Sequence, residues 1–289
     1  PTIYQQIFPR DRQMRLESVS RNEKMRTGAP PKWRNKMPDR FPQKAWYAVS
    51  GAPPLDFGDI APVRLFDTER IAWRDGDGEI HVWRNQCIHR GMRLQYGFID
   101  GNRLACRYHG WRFGPDGKCA LIPAHPDMTP PEDFCIPSSP SFEADGLIWT
   151  TIGDPAGTPP DLSEFENLAF CRSIAIDAAP ETVEAAADIA QFVPFGAGQT
   201  NSTCSSRRVA TGVVALETSC AASPQAVVLA IQPVDAGKTQ LHVLANEQVA
   251  DTDRGALRRH YAAWARQFRW HIENRRRIEA VWLPETLPV

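Results

Sequence analysis

Between residue 41 and about residue 155, apolar and polar positions alternate in short runs broken by turn residues. A period of two puts successive side chains on opposite faces, so such runs read as half-buried strands. Residues 45–50, 63–67, 71–74 and 80–84 fit this pattern, and Asp75-Gly76-Asp77-Gly78 has the composition of a tight hairpin. Residues 104–106 and 147–151 extend the series, with Gly114-Pro115-Asp116-Gly117 as a further turn. Trp46, Trp73, Trp83 and Trp149 each fall on one of these strands and are expected in the core.

A Gly- and Pro-rich linker at 153–160 ends this region. Beyond it, 168–176 predicts a strand, and 180 to about 192 a helix with Pro at its start and acids in its first turn. Strands follow at 206–216, 226–233 and 239–246, the last two joined by a turn at 235–238. From 253 to 281, Leu257, Tyr261, Trp264, Phe268 and Ile272 recur at three- and four-residue steps, so a long helix with one buried face is predicted. The chain divides into a basic arm (1–40), an all-β domain (41–155) and a sheet-and-helix domain (156–289), an α+β organisation.

Two short boxes carry the chemistry. Cys87-Ile88-His89-Arg90-Gly91 and Cys106-Arg107-Tyr108-His109-Gly110-Trp111 each offer one thiol and one imidazole, with sixteen residues between His89 and Cys106. A Rieske [2Fe–2S] centre needs two cysteines on one iron and two histidines on the other. The glycines after each histidine allow close approach of backbone to a cluster. Structural zinc is the competing use of such residues, but zinc sites usually open with two cysteines two to four apart. Respiratory-chain Rieske proteins carry an extra cysteine in each box; here Met92 and Tyr108 hold those places, so no disulfide flanks the cluster. They also follow the second histidine with Gly-Ser, where this chain has Gly110-Trp111. Fewer hydrogen bonds to sulfur predict a low potential, toward roughly −150 mV. Trp111 is expected to shield the cluster from water.

Around these boxes the chain resembles the oxygenase subunit of Rieske non-haem iron oxygenases, in the vanillate-demethylase and phthalate-dioxygenase branch. The resemblance rests on the boxes, on Ala45-Trp46-Tyr47-Ala48-Val49, on Ile122-Pro123-Ala124 and on Asp145-Gly146-Leu147-Ile148-Trp149. It implies an all-β Rieske domain followed by a helix-grip-like catalytic domain, an antiparallel sheet with a long C-terminal helix. At about 130 residues that second domain looks shortened. The resemblance also implies a mononuclear iron held by two histidines and a carboxylate, a facial triad with open positions for O₂.

Here the chain departs from the family. The histidine segment, Asn-x-x-Asp-x-x-His-x-x-x-x-His, laid on 185–196 puts Gln191 and Gly196 in the histidine places and keeps only Asp188. The carboxylate place holds Asn274. Of the seven histidines, His260 and His271 share a helix face but lie about 16 Å apart along it, too far for one iron. No mononuclear iron is therefore expected. In the family the aspartate matching Asp188 bridges subunits, which implies an interface role here; plain solvation is the alternative.

Composition sets the remaining bounds. The net charge of −1 speaks against nucleic acid as a partner. No apolar run is long enough to span a membrane, and no leader opens the chain, so a cytoplasmic location is expected. The cysteines outside the boxes (Cys119, Cys135, Cys171, Cys204, Cys220) show no paired spacing, as expected of reduced thiols. Residues 10–44 hold seven Arg and four Lys against four acids, a solvated arm or one that wraps a neighbouring subunit. The resulting expectation is a Rieske electron-transfer subunit, not an oxygenase on its own. It would work beside an intact oxygenase subunit in a trimer- or hexamer-type ring, fed by a ferredoxin or flavin reductase. The alternatives are a complete oxygenase with unusual iron ligands and a structural or regulatory pseudo-subunit.

Overall fold

The computed structural model describes residues 40–51, 55–196, 204–218, 225–246 and 253–274; the expected arm, apart from residue 40, lies outside them. Among the described residues the strands form four antiparallel sheets. In the first, β1 (Tyr47–Gly51) pairs with β11 (Leu147–Thr150), which pairs with β10 (Ser141–Ala144). The second runs β2 (Ile60–Leu65), β3 (Thr68–Arg74), β4 (Ile80–Arg84), β9 (Ser138–Ser139). The third runs β5 (Phe98–Asp100), β6 (Arg103–Ala105), β7 (Arg112–Phe113), β8 (Cys119–Leu121). The fourth has the order β12 (Leu168–Ile176), β16 (Lys238–Asn246), β15 (Ala226–Asp235), β14 (Val213–Thr218), β13 (Cys204–Ala210). Trp73, Trp83 and Trp149 are almost fully buried and Trp46 nearly so.

The two helices described belong with the fourth sheet. α1 (Pro180–Ala187) starts on Pro180 and ends five residues before the expected stop. Pro194 bars the residue before it from helical geometry, and side chains take the backbone groups of the segment between. α2 (Arg254–Glu273) is capped by Asp253, whose carboxylate accepts from Ala256 N at 3.0 Å. Leu257, Tyr261, Trp264, Phe268 and Ile272 form its buried face. Its expected continuation to 281 lies outside the described residues.

Two turns depart from the alternation pattern. The strand expected at 63–67 stops at Leu65, because Phe66 and Asp67 (φ 50° and 59°) make a two-residue hairpin turn into β3. Positive φ at both positions matches the twist of the flanking strands, though it strains a bulky residue. Phe66 is buried against the Tyr47 ring, with centroids 5.2 Å apart. The N–H groups of Phe66 and Asp67 donate to the carbonyls of Pro233 (2.9 Å) and Val234 (2.7 Å) on β15. The single strand expected at 206–216 is instead the β13–β14 hairpin, broken at Gly212 (φ 68°), where a Cβ would stand 3.0 Å from the Ile231 carbonyl oxygen.

The apolar core runs across the 153–160 linker. Tyr47, Val49, Leu65 and Phe66 pack in one cluster with Ile174, Val183, Leu229, Val243, Leu257 and Trp264. At its edge on β16 lies His242, itself fully buried. Its Nε2 sits 2.9 Å from Gln232 Oε1, and its Nδ1 2.6 Å from Ser173 Oγ. Gln232 Nε2 donates to the Arg64 carbonyl at 2.7 Å, which fixes the amide so that its oxygen faces the imidazole. Nε2 therefore carries the proton and Nδ1 accepts from the Ser173 hydroxyl.

Burial holds the His242 pKa down, at about 4. A folded pKa below the unfolded one means this stability is present above about pH 6.5 and is lost as pH falls toward 4. Between pH 7 and 4.5 the loss is about 2 kcal/mol. Urea denaturation at the two pH values should show this increment in the parent chain and lose it in His242→Gln.

Candidate metal centre

The two boxes fold into near copies of one loop. The first follows β4: Cys87 N donates to Met92 O (2.8 Å), and Gly91 N donates back to Cys87 O (2.9 Å). The second joins β6 to β7: Cys106 N donates to Trp111 O (2.9 Å), and Gly110 N to Cys106 O (2.9 Å). Both glycines, each four residues past its cysteine, take positive φ, 74° and 70°, which lets the chain reverse within each box. Gly110 is further constrained, since a Cβ there would lie 3.1 Å from Pro123 Cγ. That contact places the Ile122-Pro123-Ala124 segment against the second box.

A side-chain brace, which the motif did not reveal, anchors the first loop. Asn85 Nδ2 donates to Gln95 Oε1 at 2.6 Å, and Gln95 N donates to Asn85 Oδ1 at 2.9 Å. Asn85 is buried and its own N–H bonds the Glu69 carbonyl at 3.1 Å. An Asn two residues before a Cys box carries no sequence signal of its own; only the fold shows that it closes the loop's base.

The four candidate ligands divide by depth. Cys87 and Cys106 are buried in an apolar cluster with Trp73, Trp83, Leu94, Leu104 and Phe113. His89 and His109 are exposed, their ring centroids 4.7 Å apart. Burial pushes the Cys87 thiol up to about 12, and the Cys106 thiol beside it contributes to that rise. Two adjacent thiolates in such surroundings need cationic partners, which a bound iron would supply. Among the described residues no three His, Cys, Asp or Glu side chains converge as one ion would require. The donors come instead as a thiol pair and an imidazole pair, which fits a dinuclear cluster with mixed ligation.

Trp111 lies over this end of the molecule. Its ring is parallel to that of His89, with centroids 4.5 Å apart and 5° between the planes. Tyr108 packs against His109 at 3.9 Å and is 60% exposed.

The three expected iron-ligand places are not brought together. Gln191 Nε2 lies 3.5 Å from the Cys204 carbonyl, and the Gln191 carbonyl accepts from Trp264 Nε1 at 2.8 Å. Gly196 follows Phe195, whose N–H and C=O both bond the Gln225 amide at 2.8 Å. Tyr261 donates to the same Gln225 oxygen at 2.9 Å. Asn274 lies thirteen residues past Tyr261, about 20 Å along the helix axis, and its amide folds back on the Trp270 carbonyl at 2.8 Å. Asp188, at the end of α1, is half exposed and 3.7 Å from Arg208, which also pairs with buried Glu184 at 3.0 Å.

The remaining histidines have packing roles or lie at the surface. His81 bonds buried Asp75 at 2.8 Å, and His260 Nε2 bonds the Val193 carbonyl at 2.8 Å. His125 is exposed.

Comparison with known proteins agrees with this geometry. Residues 45–140 match the model of the Rieske [2Fe-2S] domain. The chain thus contains a Rieske domain, the fold that holds a [2Fe–2S] cluster. It is 35% identical over 139 residues to oxidoreductase NdmD of Pseudomonas putida, covering 46% of this chain and 24% of that protein. It is 36% identical over 140 residues to the oxygenase component of chloroacetanilide N-alkylformylase from Rhizorhabdus wittichii, covering 48% and 39%. The match thus spans well under half the length of either relative. The solved structure of Pseudomonas putida CBB5 NdmA shares the fold, with a TM-score of 0.65, 21% identity and coverage of 86% and 85% of the two chains. Apo dicamba monooxygenase is similar, with a TM-score of 0.66, 20% identity and coverage of 81% and 87%. No helix among the described residues is long and apolar enough to cross a membrane.

Purified protein is expected to carry two irons and two acid-labile sulfides per chain, read by metal and sulfide assay. Gly110→Ala should lower that content, because a side chain there meets both positive φ and Pro123. Zinc in place of iron and sulfide would overturn the assignment.

Proposed function

We propose that this chain is the [2Fe–2S] electron-transfer subunit of a heteromeric Rieske-type oxygenase, without a mononuclear iron site of its own. Cys87 and Cys106 would hold one iron of the cluster, and His89 and His109 the other. The bound cluster accepts and releases one electron at a time. The protein's part is to bury the thiol end, hold both loops rigid, and leave the imidazole end open to a partner.

The observation that carries the second half of this reading is the state of the segment 191–195. Its Gln191 and Val193 carbonyls and both backbone groups of Phe195 are each taken by a side chain, from Trp264, His260 and Gln225. A stretch that would present two ligands to an iron is instead fixed by hydrogen bonds. Gln191 and Gly196 offer an amide and no side chain, both poor donors to Fe(II).

The natural partner is then an intact oxygenase subunit of the vanillate-demethylase or phthalate-dioxygenase type in a mixed ring, with a ferredoxin or flavin reductase as electron source. Asp188 would lie at the contact between subunits, where Arg208 already orients it.

Anaerobic Fe(II) should leave the content at two irons per chain, and the chain alone should give no oxygenated product with reductase and aromatic substrates. A third, tightly bound iron seen by Mössbauer spectroscopy would restore the complete-oxygenase reading. Co-expression with an intact homologue should yield a mixed oligomer that turns over. Cys87→Ser in this chain only should keep the oligomer and abolish most of that turnover. Unchanged turnover would make the chain a scaffold.

A further inference from the structure

We infer that Trp111 is a positioning residue for the outer, histidine-held iron, acting through the imidazole of the other loop. The inference rests on the cluster assignment above. Trp111 belongs to the second box, where its carbonyl accepts from Cys106 N at 2.9 Å and closes the loop. Its ring, however, lies flat on His89 of the first box, at 4.5 Å and 5°. One residue therefore fastens both loops, by backbone to one and by ring face to the other.

The indole is itself backed. Phe134 stacks on it with centroids 5.6 Å apart and 19° between planes, and among the described ring contacts none joins Phe134 to His89 directly. Trp111 is thus the middle of a column His89–Trp111–Phe134. Phe134 is held in turn by its own backbone: its N–H donates to Pro131 O (3.0 Å), and its carbonyl accepts from Cys119 N (2.7 Å). Among the described residues, the rings against His109 are those of Tyr108, which is 60% exposed, and His89. The two imidazoles therefore differ. His89 is held in one plane with a face dry, whereas His109 rests against a ring open to solvent.

Two consequences follow from the physics of the shell around a metal. A fixed imidazole plane limits how far the outer iron can move between oxidation states, and an indole face excludes water that would stabilise added negative charge. Reduction places one more negative charge on the cluster, so Trp111 holds the potential down.

The test uses the full-length, cluster-loaded protein and its Trp111→Phe, Trp111→Ala and Phe134→Ala variants. Three readouts are taken: the midpoint potential by redox titration, the EPR anisotropy of the reduced state, and the rate of cluster bleaching in air. Trp111→Phe keeps a ring in the column and should stay near wild type in all three. Trp111→Ala should shift the potential upward, alter the anisotropy, and bleach roughly tenfold faster, the usual scale for losing a support around a metal ligand. Phe134→Ala, which leaves Trp111 in place, should shift in the same direction by less. A potential unmoved in both alanine variants overturns the inference. If Trp111→Ala does not load, the Phe134→Ala potential decides. Wild-type protein without iron and sulfide would instead sink the cluster assignment itself, a separate and visible failure.

Discussion

Two thiols side by side in an apolar core are the constraint around which the first half of this molecule is arranged. Left without a cation they must stay protonated, as the upward push on Cys87 shows. A bound iron would convert that unfavourable placement into a binding site. The loops must present sulfur inward and nitrogen outward within three residues, which only a tight reversal with glycine at positive φ achieves. The reversal must not drift, so Asn85 and Gln95 close the base of one loop while Trp111 closes the other.

The second half is coupled to the first by packing and by backbone. The hairpin at Phe66-Asp67 keeps its strained turn because burial of Phe66 and two hydrogen bonds to β15 hold it there. These bonds, and the shared apolar cluster around Tyr47 and Leu229, make the Rieske region and the five-stranded sheet one packed body. A rigid connection of this kind keeps the histidine end at a fixed position relative to the second sheet. A flexible tether would scatter that position over many ångströms.

Much of this was legible in the sequence because the relevant signals were local. A Cys and a His within three residues, with Gly four residues past the Cys, occur in both boxes and point to the candidate ligands and to a tight loop. Short apolar runs bounded by turn residues found β4, the strands at 147–150 and 168–176, and the buried tryptophans. The misses came where tertiary contacts overrode local preference. Phe66 advertises no turn, since its positive φ is stabilised only by contacts with β15 and Tyr47. Gly212 sits within a run that otherwise reads as one long strand, and only the approach of Ile231 explains the break. The degenerate positions show the same limit. Gln191 and Gly196 could be placed by spacing, but the distance of Asn274 from them depends on where α2 lies against the segment 191–196.

The division of depth between thiols and imidazoles also sets the direction in which the chain can work. An electron held behind Trp73, Trp83 and Leu104 has no exit on the cysteine side except through packed core. The exposed histidines, flanked by Ile88 and Tyr108, are the end a partner can reach. Ile88 and Tyr108 are large apolar side chains left at the surface on either loop, and desolvating them gives a docking partner its contact area. The segment 191–195 is held by hydrogen bonds from Trp264, His260 and Gln225. On the proposed reading, an electron leaving at this histidine end passes to a second, iron-bearing subunit.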